Sequence, residues 1–142
     1  CVKELCASDD RVRLVSLSRN FGTQMAIFAG LEHARGDAVV IMDADVLFHP
    51  DILRRLVQSR HANALCLDET VVQRGEECMA VVRGQRVVAL TKQVPSSYDL
   101  AGEGVGFLKV CRGDLDHLIA SLDGHVRTGA WNMEYEDALL EL

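Results

Sequence analysis

The sequence predicts an α/β domain whose mixed, mostly parallel sheet is flanked by helices. Short apolar runs alternate with segments of helical periodicity, a two-residue hairpin turn falls in the second half, and no internal repeat or low-complexity tract interrupts the pattern. The chain has 142 residues, of which 49% are hydrophobic and 25% are charged. This size and composition indicate a single domain, residues 1–142, with one core.

The first strand and helix are predicted near the N-terminus. Residues 13–17 are short, apolar and partly β-branched, which predicts a buried strand. Thr23 is a candidate cap for a helix over residues 24–35, which carries an apolar face. Gly36 follows that helix and is expected to end it.

A second strand and helix come next. Residues 38–42 are apolar on both faces, so we expect a central strand with parallel neighbours. Pro50 suits the first turn of a helix over residues 50–59, and residues 64–67 read as another short strand. Ligands of such sheets bind where strands end, which here is directly after residue 42.

The second half of the chain begins with a predicted hairpin. Residues 79–83 and 86–90 read as two strands joined at Gly84 and Gln85, with the glycine supplying a positive φ. The remaining expected elements are a strand over 104–110, a helix through residues 115–122 that ends at Gly124, and a last helix over 134–142.

The charge balance limits the classes of partner. The chain has 15 basic and 21 acidic residues, for a net charge of −6. A surface of this sign repels phosphate backbones, so we expect no nucleic-acid partner, whereas a nucleotide can bind through a divalent cation. No apolar run reaches the roughly 18–20 residues of a membrane span. The five cysteines never form a C-x-x-C pair, which favours a cytoplasmic location. The start at Cys1, in what reads as a helix tail, leads us to expect an N-terminally truncated chain.

Two carboxylates, Asp43 and Asp45, follow the most apolar predicted strand. At a strand end they repel each other, and Mg²⁺ or Mn²⁺ removes that penalty while holding the oxygens of a diphosphate. The sequence therefore indicates a metal site that also contacts the phosphates of a nucleotide. The alternative is a loop whose aspartates cap the helix that begins near Pro50.

Other polar residues are candidates of lower specificity. Glu136 and Asp137 form a second acidic pair. Either one of them lies across the crevice from Asp45 as a catalytic base or, for Asp137, as a further metal ligand, or both are solvated residues in the first turn of the last helix. Arg19 and Asn20 lie in a predicted strand-to-helix loop and are candidate phosphate contacts, or simply loop residues. Glu103, between two glycines, either faces the cleft as a nucleotide contact or sits in a turn.

Three strings carry a first resemblance: VRLVSLSRNFG at 12–22, AGLEHARGD at 29–37 and MDAD at 42–45. Residues 11–45 resemble family 2 glycosyltransferases, in particular those that transfer a sugar from a nucleotide donor to a polyprenyl phosphate. The resemblance implies a Rossmann-like GT-A fold and a metal role for Asp43 and Asp45, with Asp45 the more direct ligand. In that family, a first strand and an acidic site that binds the nucleotide base would precede Cys1. The family's later glutamine-arginine-tryptophan signature is absent here.

A second, more diffuse resemblance covers residues 45–142, so that residues 46–142 form the nucleotidyltransferase-like part of the domain and residues 1–45 the glycosyltransferase-like part. The strings DVLFHPDIL at 45–53, GEGVG at 102–106 and YEDAL at 135–139 resemble phosphocholine-cytidylyltransferase-like nucleotidyltransferases. The resemblance implies that Asp45 and Asp137 hold the metal. That family usually has a lysine where this chain has Ala80, and its glycine-rich phosphate loop is absent. Both families share the nucleotide-diphospho-sugar transferase architecture, so a junction at Asp45 is structurally sensible.

Three functions therefore stand. The first is metal-dependent transfer of a sugar from a nucleotide sugar to a polyprenyl phosphate, at the cytoplasmic face of the membrane. The second is transfer of a cytidylyl group from CTP to phosphocholine or a similar phosphorylated small molecule. The third is an inactive fragment of either enzyme. The first leads because its motif string is the more specific one.

Overall fold

The computed structural model describes residues 2–75, 77–128 and 138–140. The elements in chain order are α1 (Val2–Ser8), α2 (Thr23–His33), β1 (Ala38–Met42), α3 (Asp51–Gln58), β2 (Ala64–Asp68), β3 (Met79–Arg83), β4 (Arg86–Thr91), β5 (Leu100–Cys111) and α4 (Arg112–Arg127). The predicted α/β class is confirmed, and the sheet has helices packed on both faces.

Strand β5 organises the sheet. Its 12 residues pair with β2 along one edge, and with β1 and then β3 along the other. All of these pairings are antiparallel, and β4 continues the sheet beyond β3. The prediction of a mostly parallel sheet is therefore wrong. Strands β1 and β2 do run in the same direction, but β5 lies between them, and they do not pair with each other.

Two further predictions about the strands are wrong. Among the described residues β1 pairs only with β5, so it lies at an edge of the sheet rather than at its centre. Residues 13–17 form no strand, and Leu14 and Leu17 are 45% and 37% exposed. A strand exists only where a neighbour completes its ladder, and no described strand pairs with this segment.

The hairpin prediction is confirmed. β3 and β4 pair around Gly84 and Gln85, whose φ values are 54° and 69°. Positive φ at both central residues is typical of the tight turns that match the twist of paired strands.

The helix predictions are confirmed in outline but not at every end. α2 begins at Thr23 itself, and Gly22 occupies the cap position without a side-chain hydrogen bond. α4 continues through Gly124 to Arg127, and the hydroxyl of Thr128 lies within hydrogen-bond distance of the carbonyls of Gly124 and His125 in its last turn. Most of the predicted helix over 134–142 lies outside the described residues.

The alternation of β5 divides the core between the two faces of the sheet. Leu108 and Val110 pack with Leu31 of α2 and with buried leucines of α4. On the other face the Nζ of Lys109, which is buried, donates to the carbonyl of Ser59 at the C-terminal end of α3 (2.8 Å). None of the helices in the described part of the chain is both long and apolar enough to cross a bilayer.

Asn63 ties the start of β2 to the junction of β5 and α4. Its Nδ2 donates to Asp114 Oδ2 (2.7 Å), and its Oδ1 accepts the backbone N–H of Cys111 (3.0 Å). The hydrogen bond from Asn63, followed by that from the Cys111 thiol, lowers the pKa of Asp114 below its ordinary value. The stability that this carboxylate contributes is therefore present above its unfolded-state pKa and is lost as the pH falls through the lower, folded-state pKa.

We expect Asn63→Ala to lower the free energy of unfolding at pH 7 by about 1–3 kcal/mol. The substitution leaves two partly buried groups, the Asp114 carboxylate and the Cys111 N–H, without the hydrogen bonds that Asn63 makes with them. The variant should also lose less stability than the wild type between pH 4 and pH 2. Without the Asn63 hydrogen bond, the pKa of Asp114 in the folded variant lies closer to the pKa of the same group in the unfolded chain. Urea denaturation across that range measures both effects. Identical pH slopes in the two proteins would contradict the assignment to Asp114.

Candidate functional site

The two carboxylates predicted as metal ligands lie in a turn directly after β1. Asp43 follows the last residue of the strand, and Ala44 and Asp45 form the turn. Both aspartates are exposed. The backbone N–H of Asp43 donates to the carbonyl of Gly106 on β5 (3.0 Å), which extends the contact between the strands by one residue. The side chain of Asp43 lies directly against the Cα of Gly106.

The far end of this turn is fixed to the same strand. The ring of Phe48 meets the ring of Phe107 edge to face, with centroids 4.9 Å apart. Phe107 is 1% exposed, so Phe48 anchors the loop to a buried residue of the core. The Nδ1 of His49 then accepts the N–H of Asp51 (3.3 Å), where α3 begins. His49 thus satisfies one of the free backbone N–H groups at the start of the helix.

The electrostatics of the turn suit a cation. Within the described residues, neither Asp43 nor Asp45 has a basic side chain within salt-bridge distance, whereas the nearby Asp51 pairs with Arg54. The same ranges contain no group of three His, Cys, Asp or Glu side chains placed to hold a metal together. Two exposed carboxylates suit a hard cation whose remaining ligands are water and substrate phosphate oxygens.

The Arg19–Gly22 loop precedes α2 and is exposed. The Oδ1 of Asn20 accepts the N–H of Gly22 (2.8 Å), so this oxygen shapes the turn. The guanidinium of Arg19 stacks over the ring of Phe21, 4.6 Å from its centroid. Stacking orders the guanidinium while leaving its N–H groups at the rim free to donate, an arrangement that suits a phosphate.

Glu103 is half-buried in β5 rather than in a turn. It lies between Asp68 of β2 and Met79 of β3 in the register of the sheet. Gly106 lies three positions further along β5, which is about 10 Å in an extended strand. Glu103 therefore lies on the same strand as Gly106, the residue against which Asp43 packs, but too far along it to contact the Asp43 carboxylate. Glu136 and Asp137 lie outside the described residues, and their roles stay predictions.

The sequence interpretation missed the part that β5 plays beneath the turn. Gly106 and Phe107 anchor the two ends of the segment that carries the aspartates. The alternating glycines Gly102, Gly104 and Gly106 were the available indication. A glycine inside a strand often marks a close approach of another part of the chain.

Comparison with known proteins identifies the family. The sequence model of glycosyl transferase family 2 matches residues 1–93, which is more than half of the chain. The chain belongs to glycosyl transferase family 2. The match includes β1, the aspartate turn and the Arg19–Gly22 loop, so the candidate site lies within the family region. This membership places the chain in the nucleotide-diphospho-sugar transferase superfamily.

Individual relatives agree with this assignment. The CsbB protein of Bacillus subtilis strain 168 is 37% identical over 82 residues, covering 58% of this chain and 24% of that protein. The bactoprenol glucosyl transferase of Shigella phage SfX is 40% identical over 63 residues, covering 44% of this chain and 21% of that protein. The matched part of the chain thus spans about a quarter or less of the relatives' length.

Proposed function

We propose that this family 2 chain transfers a sugar from a nucleotide sugar to a polyprenyl phosphate, with the aspartate turn as its metal and diphosphate site. The observation that carries the proposal is the pair Asp43 and Asp45, exposed at the end of β1 and held against β5 at both ends of their loop. This arrangement presents two carboxylates at a fixed turn, and no basic side chain in the described part of the chain pairs with either of them.

The residues of the turn fit Mg²⁺ or Mn²⁺ bound together with substrate. These ions are commonly held by one or two carboxylates plus phosphate oxygens. Asp45 is the proposed direct ligand, and Asp43, resting on Gly106, supports it. When bound, the ion neutralises the diphosphate and stabilises the nucleoside diphosphate as it leaves.

The remaining roles follow from charge and position. Arg19, ordered by its stacking on Phe21, is the proposed contact for a phosphate of the donor, while Asn20 holds the shape of that loop. Glu103 is the proposed polar contact for the nucleotide from the neighbouring stretch of β5. These assignments do not depend on which residues bind the metal.

A lipid phosphate is the acceptor that best matches the relatives, several of which are named bactoprenol glucosyl transferases. An acceptor phosphate is already anionic at neutral pH, so its oxygen attacks the sugar carbon without a strong general base. Asp137 or Glu136 would supply that base if the acceptor were a hydroxyl group. A lipid acceptor also implies that the chain works at the cytoplasmic face of a membrane.

A comparison of two reaction mixtures tests the donor class. One contains UDP-glucose, polyprenyl phosphate in detergent and Mn²⁺, and the other contains CTP, phosphocholine and Mn²⁺. Anion-exchange chromatography measures the nucleotide products, with EDTA as the control for each mixture. We expect UDP release in the first mixture only. Formation of CDP-choline in the second mixture, without UDP release in the first, would contradict sugar transfer and support the nucleotidyltransferase alternative.

A further inference from the structure

Gly106 makes an unusually close contact with the candidate site. Its φ is +72°, and a Cβ at this position would overlap Oδ2 of Asp43, 2.7 Å from its Cγ and 2.9 Å from its Cβ. Real Cβ atoms essentially never approach other atoms so closely. The carboxylate of Asp43 thus occupies the volume that any other residue at 106 would fill with its own side chain.

In the described ranges the Asp43 carboxylate has no polar partner. No hydrogen bond or salt bridge joins the Asp43 side chain to another described residue, although its backbone N–H is fixed by the Gly106 carbonyl. The close approach to Gly106 is therefore the contact available to fix where the Asp43 carboxylate lies relative to β5.

We propose that Gly106 is a positioning residue, whose missing side chain seats the Asp43 carboxylate beside Asp45. This inference rests on the proposed function, in which Asp43 supports a metal-bound diphosphate. A side chain at 106 displaces the carboxylate or separates the end of β1 from β5. Either movement changes the geometry of the aspartate turn while leaving the core beneath β5 in place.

The neighbouring glycines of β5 do not share this role. A Cβ at Gly104 would meet no atom within 4 Å, and its backbone is not in the left-handed region. A Cβ at Gly102 would lie 2.9 Å from the backbone carbonyl oxygen of Asp68, so Gly102 serves the close pairing of β2 and β5. Gly104→Ala is consequently a matched control for Gly106→Ala, with the same chemical change two residues away on the same strand.

The first test is thermal unfolding of a double-mutant cycle without metal. Gly106→Ala is made in the wild type and in Asp43→Gly, which removes all three of the crowding atoms. We expect Gly106→Ala to lower the melting temperature by about 10 °C in the wild type and by about half as much in the Asp43→Gly background, where only the backbone cost remains. Gly104→Ala should lower it by no more than about 3 °C.

Equal losses in the two backgrounds would overturn the proposal, because the cost of the alanine would then come from its backbone alone. If Gly106→Ala fails to fold in the wild type, recovery of a cooperative transition in Asp43→Gly/Gly106→Ala supports the proposal. Failure of that double variant to fold, while Asp43→Gly folds, overturns it.

The second test measures Mn²⁺ binding by electron paramagnetic resonance in the presence of UDP. We expect Gly106→Ala to weaken binding about tenfold and Gly104→Ala to change it less than twofold, as a displaced ligand loses roughly 1.4 kcal/mol. Wild-type affinity in Gly106→Ala would overturn the positioning role. A wild type that binds no Mn²⁺ would instead contradict the proposed function, and the thermal cycle would still decide the role of Gly106.

Discussion

Asp45→Asn should abolish the stabilisation of the fold by Mg²⁺ or Mn²⁺. An ion that binds only the folded state raises its stability by about 2.7 kcal/mol at 100 times its Kd. Asparagine keeps the shape of the side chain but loses the charge that holds the ion. Asp43→Asn should weaken the effect without abolishing it, since Asp45 is the proposed direct ligand. Thermal unfolding with and without each ion measures the difference.

Asp37→Asn provides a matched control. Asp37 is exposed and immediately precedes Ala38, at the opposite end of β1, so the variant makes the same change in charge away from the turn. It should keep the full stabilisation by either ion. If Asp45→Asn still gains as much stability as the wild type does, the ion binds elsewhere and the metal assignment is wrong.

Leu118→Ala should destabilise the protein by about 2–5 kcal/mol, the usual cost of removing a fully buried leucine. Leu118 is 0% exposed on α4 and packs in the core between α2, α4 and β5. Typical domains have only 5–15 kcal/mol of total stability, so this single change threatens folding itself. Urea denaturation at pH 7 measures the loss.

The matched control is Leu5→Ala, which makes the same substitution in α1. Leu5 is 55% exposed, so its removal deletes little buried contact. We expect a change within about 0.5 kcal/mol. Similar losses for both variants would show that α4 does not cover the sheet as described.

Local patterns in the sequence predicted the individual elements well. The apolar spacing of α2, α3 and α4 identified helices, and the Gly84-Gln85 pair identified the hairpin, because each signal depends on neighbours in the chain. The end of α4 was missed because a glycine inside a helical pattern does not always end the helix, and α4 runs through Gly124 to Arg127.

Strand pairing was predicted poorly because it is not local. An apolar strand such as β1 is compatible with parallel or antiparallel partners. Its actual neighbour, β5, begins at Leu100, and nothing in residues 38–42 indicates that β5 separates β1 from β2. Residues 13–17 show the same limit, since their apolar character does not supply the neighbouring strand that a ladder requires.

The site was predicted in part for the same reason. Asp43 and Asp45 were identified because charged residues directly after a buried run are visible along the chain. Their support was not, because Gly106 and Phe107 contact the turn from about 60 positions away in sequence. The glycine alternation in β5 hinted at a close approach but did not say which residue approaches.

Equilibrium binding of radiolabelled UDP-glucose tests most directly whether the aspartate turn is a metal-assisted donor site. Binding is measured with Mn²⁺ or with EDTA, for the wild type, Asp45→Asn and Asp37→Asn. We expect the wild type and Asp37→Asn to bind the donor only when Mn²⁺ is present. Asp45→Asn should bind at least about tenfold more weakly, equivalent to 1.4 kcal/mol or more. Donor binding of equal strength in EDTA and Mn²⁺, or undiminished binding by Asp45→Asn, would contradict a metal-assisted donor site at the aspartate turn.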